Sequence, residues 1–149
     1  MQIRTLLAGS AMLAMLAGCA TGPTEPGAPD AAMDDVATYH GTLPCRNCAG
    51  IDIEVQMMGD EYGDIDERTF TLEASYREHP QSPPDENYTG NWEVLSGTAS
   101  DPSATVYELT PDGEGQIYYF LRVDDATLEL IDPQRRQFEN NEMLQLQRQ

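Results

Sequence analysis

From residue 36 to the end of the chain, apolar and polar positions alternate in short runs. Ile51, Ile53, Val55 and Met57 fall on one face, and Phe70, Leu72, Ala74 and Tyr76 on another. The same spacing joins Ile117, Tyr119, Leu121 and Val123, then Leu128 with Leu130, and Leu144 with Leu146. A period of two places these side chains on one side of a pleated, half-buried strand. The pattern predicts strands over Val36–Leu43, Ile51–Met58, Thr69–Glu78, Tyr88–Ser96, Ala104–Leu109, Gln116–Val123, Thr127–Ile131 and Met143–Arg148. No stretch carries a helical apolar stripe of useful length.

Turn chemistry separates the runs. Pro111-Asp112-Gly113-Glu114-Gly115 and Asp124-Asp125-Ala126 read as hairpin links. Asp132-Pro133 ends the seventh run, because proline cannot continue a ladder. Residues 79–87 form a longer proline-rich loop. Eight consecutive strands with short links predict an all-β fold, a small eight-stranded antiparallel up-and-down barrel whose closure removes exposed edges. A two-sheet β-sandwich is the other arrangement this pattern allows.

The first 35 residues differ in kind. Residues 1–18 carry one charge, Arg4, before an apolar run rich in Leu, Ala and Met. This is the layout of a secretory signal, and the run is short for a spanning helix. It ends in Leu16-Ala17-Gly18-Cys19, which resembles a bacterial lipobox, with Cys19 as the lipid-attachment residue. Residues 19–35 are then rich in Pro, Gly, Ala and acid, as in a flexible tether. Acyl chains hold such a tether to a membrane, each buried methylene adding about 0.8 kcal/mol. Ala20, rather than an aspartate, follows Cys19 and favours the outer membrane over the inner, with the domain facing the periplasm.

Residues 36–149 are one domain, large enough for a modest core. The chain has 26 acids against 8 basic residues and a net charge of -18, and all the basic residues are arginines. Nucleic-acid binding is excluded by this balance, since phosphate contacts need basic patches. The acids are scattered, as for a solubility device, rather than gathered into a site. Gly-x-Ser-x-Gly, His-Glu-x-x-His and P-loop motifs are all absent, and the two histidines lie far apart. These absences point to a non-enzymatic protein. The acidic run of residues 60–66 lacks the ligand spacing of an EF-hand and reads as a solvated loop.

Chemistry concentrates in Tyr39-His-Gly-Thr-Leu-Pro-Cys-Arg-Asn-Cys-Ala-Gly-Ile51, between the first two strands. With Cys19 lipidated, Cys45 and Cys48 are the two free thiols. They can bind Cu(I), for which two soft thiolates suffice. They can instead form a disulfide, which an oxidising periplasm favours as the resting state. A thioredoxin-like dithiol would sit at a helix N-terminus, which this segment lacks. A four-cysteine zinc site fails by count. His40, Met57 and Met58 are neighbours in sequence and candidate further ligands of a copper site, although Met57 shares the apolar face of its strand.

Lipobox, tether and this motif together resemble the NlpE family of bacterial envelope lipoproteins, whose first domain carries Tyr-x-Gly-x-Leu-Pro-Cys-x-x-Cys-x-Gly-Ile. Tyr39, Gly41, Leu43, Pro44, Cys45, Cys48, Gly50 and Ile51 fill those places. Tyr76, Gly90-Asn91-Trp92, Tyr119-Phe120, and Leu128 and Leu130 with Asp132 follow in the family's order. The resemblance implies a lipocalin-like eight-stranded barrel, and a role in copper resistance or envelope stress with an envelope signalling protein as partner. It covers the first domain only; some members add a second domain with another cysteine pair. The expected function is thus a non-enzymatic outer-membrane lipoprotein whose Cys45–Cys48 pair responds to redox state or Cu(I). The competing expectation is a carrier of a small apolar ligand with a purely structural disulfide.

Overall fold

The computed structural model describes residues 36–149. The expected signal peptide, the expected lipid-attachment residue Cys19 and the expected tether lie outside the described residues. The eight strands are β1 (Val36–Leu43), β2 (Gly50–Met58), β3 (Thr69–Arg77), β4 (Glu86–Ser96), β5 (Thr105–Pro111), β6 (Tyr118–Asp124), β7 (Thr127–Ile131) and β8 (Gln145–Arg148). Each pairs antiparallel with its sequence neighbour, and β8 returns to β1 to close a barrel. The closed ring sets the sandwich aside. Short 3-10 turns at Ile65–Glu67 and Asn141–Leu144 are the only helical segments among the described residues.

Several strand ends differ from the sequence pattern, for physical reasons. β4 starts at Glu86 because Glu86 and Asn87 still find partners in Ala74 and Glu73. β5 continues to Pro111, whose missing N–H falls at the end of the ladder, where no bond is lost. β8 begins later, since Asn141–Leu144 turns tightly before the strand.

The larger correction concerns β6. Ile117, Tyr119, Leu121 and Val123 do not face the core; Tyr118 and Phe120 are buried, and Ile117 and Val123 are exposed. β6 is apolar on both faces because its outer face is partly covered. The β7–β8 connection crosses outside, and Phe138 and Pro133 border a surface groove with Ile117, Tyr119 and Ile131. This strap is tied down by polar bonds. The Arg135 guanidinium donates to the carbonyls of Ser96 and Gly97 at 2.9 and 3.0 Å. Gln137 donates to the buried Glu129 carboxylate at 2.9 Å.

Inside, Val55, Leu72, Leu109, Phe120, Leu128 and Leu146 fill the waist, each with no exposed surface. Side chains that interdigitate across a small barrel fill its interior. Trp92 plugs the end where the chain enters. Its indole N–H donates to the Met58 carbonyl at 2.8 Å, and its ring meets Tyr107 edge-on. Two glycines of the motifs permit close backbone approach. A Cβ on Gly41 would stand 2.6 Å from the Gln145 carbonyl oxygen and from Leu146, at the β1–β8 seam. One on Gly90 would stand 2.0 Å from the Thr110 oxygen.

At the other end, on the outer face, Asp52 clips three strands together. Thr42 on β1 donates to it at 2.6 Å, and Arg77 on β3 forms an ion pair with it. The Thr42 hydroxyl, then Arg77, hold the Asp52 carboxyl below its ordinary 3.8. A folded-state pKa below the unfolded one gives stability that is present above about pH 4 and lost as pH falls through the folded value. The pair is solvent-exposed, so its contribution is small, below about 1 kcal/mol. Asp52→Asn is expected to lower the urea midpoint slightly at pH 7 and to leave it unchanged at pH 2.5. An equal loss at both pH values would remove the electrostatic account.

Candidate functional site

The loop between β1 and β2 holds the two cysteines at one rim of the barrel. Leu43 ends β1 with its side chain buried, and Gly50 starts β2. The six residues between them turn the chain, and Ala49 donates to the Arg77 carbonyl at 3.0 Å, which fixes the loop to β3. Within it Cys45 and Cys48 are joined as a disulfide, with Cα atoms 5.3 Å apart. The oxidised pair is therefore the state of this structure.

The sulfurs are half-buried, while Arg46 and Asn47 between them are exposed. The Cys48 sulfur lies 3.4 Å from the Gly50 carbonyl oxygen, and the Cys45 sulfur 3.7 Å from the Asn47 side-chain oxygen. A disulfide has no S–H to donate, so these are close approaches rather than hydrogen bonds. On reduction each thiol gains a proton with an acceptor in reach. Arg46 stands between the two cysteines in sequence, with its side chain exposed.

The other sequence candidates do not join the pair. Met57 is buried in the core near the opposite end, seven positions along β2 from Gly50, or roughly 23 Å. Met58 adjoins it and is equally remote. His40 pairs in register with Glu54 and Gln147 in the body of the sheet, on the face opposite the buried Tyr39. Among the described residues no group of three or more His, Cys, Asp or Glu side chains gathers as a metal site. A Cu(I) ion would therefore be held by the two thiolates alone, and only after reduction. Two soft donors at this spacing fit a near-linear Cu(I) site.

The rim also carries Glu86, which the strand pattern does not single out. Inside the same mouth lies a cup of about 450 Å3, walled in part by Pro44, Ile53, Tyr76, Glu86, Tyr88 and Tyr118. Tyr76 and Tyr88 each donate a phenolic hydrogen bond to Glu86, at 3.0 and 2.9 Å. Glu86 falls in the proline-rich loop of the sequence pattern and Tyr88 at the start of the predicted fourth strand, and nothing in their spacing marks a site. A second cup of about 340 Å3, at the end where β1 begins, is polar. There Arg122 pairs with Glu61 at 2.9 Å, beside the Tyr107 hydroxyl.

The family model of the NlpE N-terminal domain matches residues 39–141. No curated protein and no solved structure matches the chain significantly. The matched span runs from the first residue of the cysteine motif to the strap before β8 and so takes in the whole site.

The disulfide closes a very short loop, with a sequence separation of 3. Chain-entropy reasoning gives such a loop about 2 kcal/mol at most. Cys45→Ser with Cys48→Ser is expected to leave a folded barrel whose unfolding free energy falls by about that amount or less. Urea denaturation followed by Trp92 fluorescence measures it, and an unfolded double variant would show the bond to be a fold requirement.

Proposed function

The chain belongs to the NlpE family, and from that membership we propose that it is a non-enzymatic outer-membrane lipoprotein of the bacterial envelope. It senses envelope stress or handles copper through Cys45 and Cys48. Its anchor is Cys19, its tether is residues 19–35, and its partner is an envelope signalling protein. The observation that carries this reading is the position of the disulfide. β1 begins at Val36, where the tether joins, and Gln149 lies beside it, donating to the Thr38 carbonyl at 2.9 Å. The cysteine loop lies at the other end of β1, roughly 25 Å along the strand. A domain hung from its N-terminus therefore presents the pair away from the membrane, to the periplasmic space.

Two states follow from the chemistry. In the oxidised state both sulfurs are spent on each other and no thiolate is offered. Reduction by an external dithiol delivers two electrons and two protons and yields the Cu(I)-competent pair. The same exchange alters the loop that Ala49 ties to β3, and that change of rim is what a partner would read. The buried side chains at the waist favour this reading over an apolar carrier site along the barrel axis.

A Cu(I) competition titration against a chromophoric chelator tests this reading, on the reduced barrel, the oxidised barrel and the Cys45→Ser/Cys48→Ser variant. One equivalent bound tightly by the reduced protein, and by neither control, is expected. Equal binding by all three would assign the copper to adventitious acids. The anchor is tested separately. Cys19→Ser is expected to abolish radiolabelled fatty-acid incorporation and move the protein from the membrane to the soluble fraction.

A further inference from the structure

The cup at the distal mouth has a chemistry of its own, independent of the cysteine reading. Its polar centre is the Glu86 carboxylate. No arginine or histidine lies within ion-pair distance of it among the described residues; the ion pairs there are Arg77–Asp52, Arg122–Glu61 and Arg136–Asp132. Both of its oxygens are engaged, one by the Tyr76 hydroxyl and one by the Tyr88 hydroxyl. Each phenol thereby spends its only proton on Glu86 and turns its remaining lone pairs outward. The centre of the cup accepts hydrogen bonds, and its neutral donors, the Gln116 amide and the Tyr118 hydroxyl, stand on the wall. An anion would find no counter-charge there, and a plain hydrocarbon would desolvate a carboxylate without return.

Three aromatic rings stand around this charge. Tyr88 and Tyr118 are tilted at 52° with centroids 6.3 Å apart, and Tyr76 borders the same cavity. Burial, with Tyr88 and Glu86 nearby, pushes the Tyr118 phenol up to about 12, so the ring is neutral across the physiological range. Hydrogen bonding to Glu86 raises Tyr76 and Tyr88 as well. Neutral ring faces beside an uncompensated carboxylate attract an organic cation through both the quadrupole and the charge. The remaining wall, including Ile53, Ala74 and Leu130, is apolar and suits a short hydrocarbon body. A volume of about 450 Å3 admits a small molecule and not a folded partner.

We infer that the distal mouth, built by Glu86, Tyr76, Tyr88 and Tyr118, binds a small water-soluble organic ammonium compound with a short apolar body. The ammonium group sits against the Glu86 carboxylate and the tyrosine faces, and the body points toward Ile53 and Leu130. The net charge of -18 raises the local concentration of such a cation at the mouth.

The test uses butyltrimethylammonium, with 3,3-dimethylbutanol and butyl sulfate as neutral and anionic counterparts. Each is titrated by NMR into the barrel, whose ring closes within residues 36–149, and again into the full chain in a non-ionic detergent. The ammonium is expected to shift resonances of Tyr76, Tyr88 and Tyr118 and to saturate in the millimolar range or below, about 1 mM. Glu86→Gln, which keeps a hydrogen-bonding side chain, is expected to weaken binding at least about tenfold, or 1.4 kcal/mol. Tyr118→Phe, which keeps the ring, is expected to bind within about threefold of the parent, since ring faces carry the attraction. Comparable binding of the alcohol, no loss in a folded Glu86→Gln, or no saturation would overturn the proposal. Should Glu86→Gln fail to fold, the comparison of ammonium with alcohol on the parent protein still decides. Displacement of the ammonium by phosphatidylcholine vesicles would assign the group to a lipid headgroup and overturn the free-ligand assignment.

Discussion

Closure of the ring at β1 and β8 is the constraint from which the rest of the structure follows. β8 is only four residues long, and its register with β1 rests on Tyr39 with Arg148 and His40 with Gln147. So short a seam holds only if the two backbones approach closely. Gly41 allows this, because any side chain there would meet the Gln145 carbonyl and Leu146. Leu146 then reaches the centre of the barrel and becomes fully buried. The Gln149 amide extends the seam by donating to Thr38 on β1 at 2.9 Å, while the Arg148 amide ties β8 to Ala126 in the β6–β7 turn at 2.7 Å. An open β1 edge would offer unpaired backbone groups to any other strand, and closure removes that hazard.

Once the ring is closed, its small circumference decides where chemistry can occur. Eight strands enclose about enough space for side chains to fill, and here large aliphatic and aromatic residues fill the waist. Polar or reactive groups are left to the two ends and the outside. At the entry end the interior cations and acids neutralise one another, as Arg122 and Glu61 do. At the distal end they do not: Glu86 faces only phenols. The cysteine loop occupies that same distal rim, and Pro44, one residue from Cys45, lines the cup itself. Both features of chemical interest therefore follow from a single fact of topology, the odd-to-even turns lying opposite the chain's entry point.

Much of this was legible along the chain, and the failures have definite causes. β1 and β7 fall where the alternation puts them, and the eight-strand count with short links pointed to a barrel but allowed a sandwich, which only the pairing of β8 with β1 sets aside. The pair Cys45–Cys48 was conspicuous because cysteine is rare here and because proline and glycine frame it. β6 misled because its outward residues are as apolar as its inward ones. Only the strap that passes over them, held by Arg135 and Gln137, explains that, and a non-local cover leaves no periodic signal. Glu86 was illegible for the opposite reason. In sequence it closes a polar loop, Asp85-Glu86-Asn87, and only the register of β4 on β3 turns it inward beside Tyr76. Tyr118, which faces it, comes from a strand whose face was itself misassigned.

The distribution of arginine shows how so acidic a chain holds together. All its basic residues are arginines, and most of those in the described domain are committed to the framework rather than to neutralising the surface. Arg68 stacks over the Trp92 ring at 5.5 Å and donates to the Gly63 carbonyl at 2.8 Å. Arg135 secures the strap to β4, and Arg77 joins β3 to β2. A guanidinium suits these tasks because its planar fork donates several bonds at once and stacks on rings, which an ammonium does less well. The consequence is electrostatic. With its cations used as structural donors, the barrel keeps most of its acids uncompensated, and exposed carboxylates raise a negative potential reaching about one Debye length, roughly 8 Å at physiological salt. Arg46 is exposed between the two cysteines and makes no ion pair among the described residues, so the one loop with redox chemistry has a positive charge at its tip within a negative field.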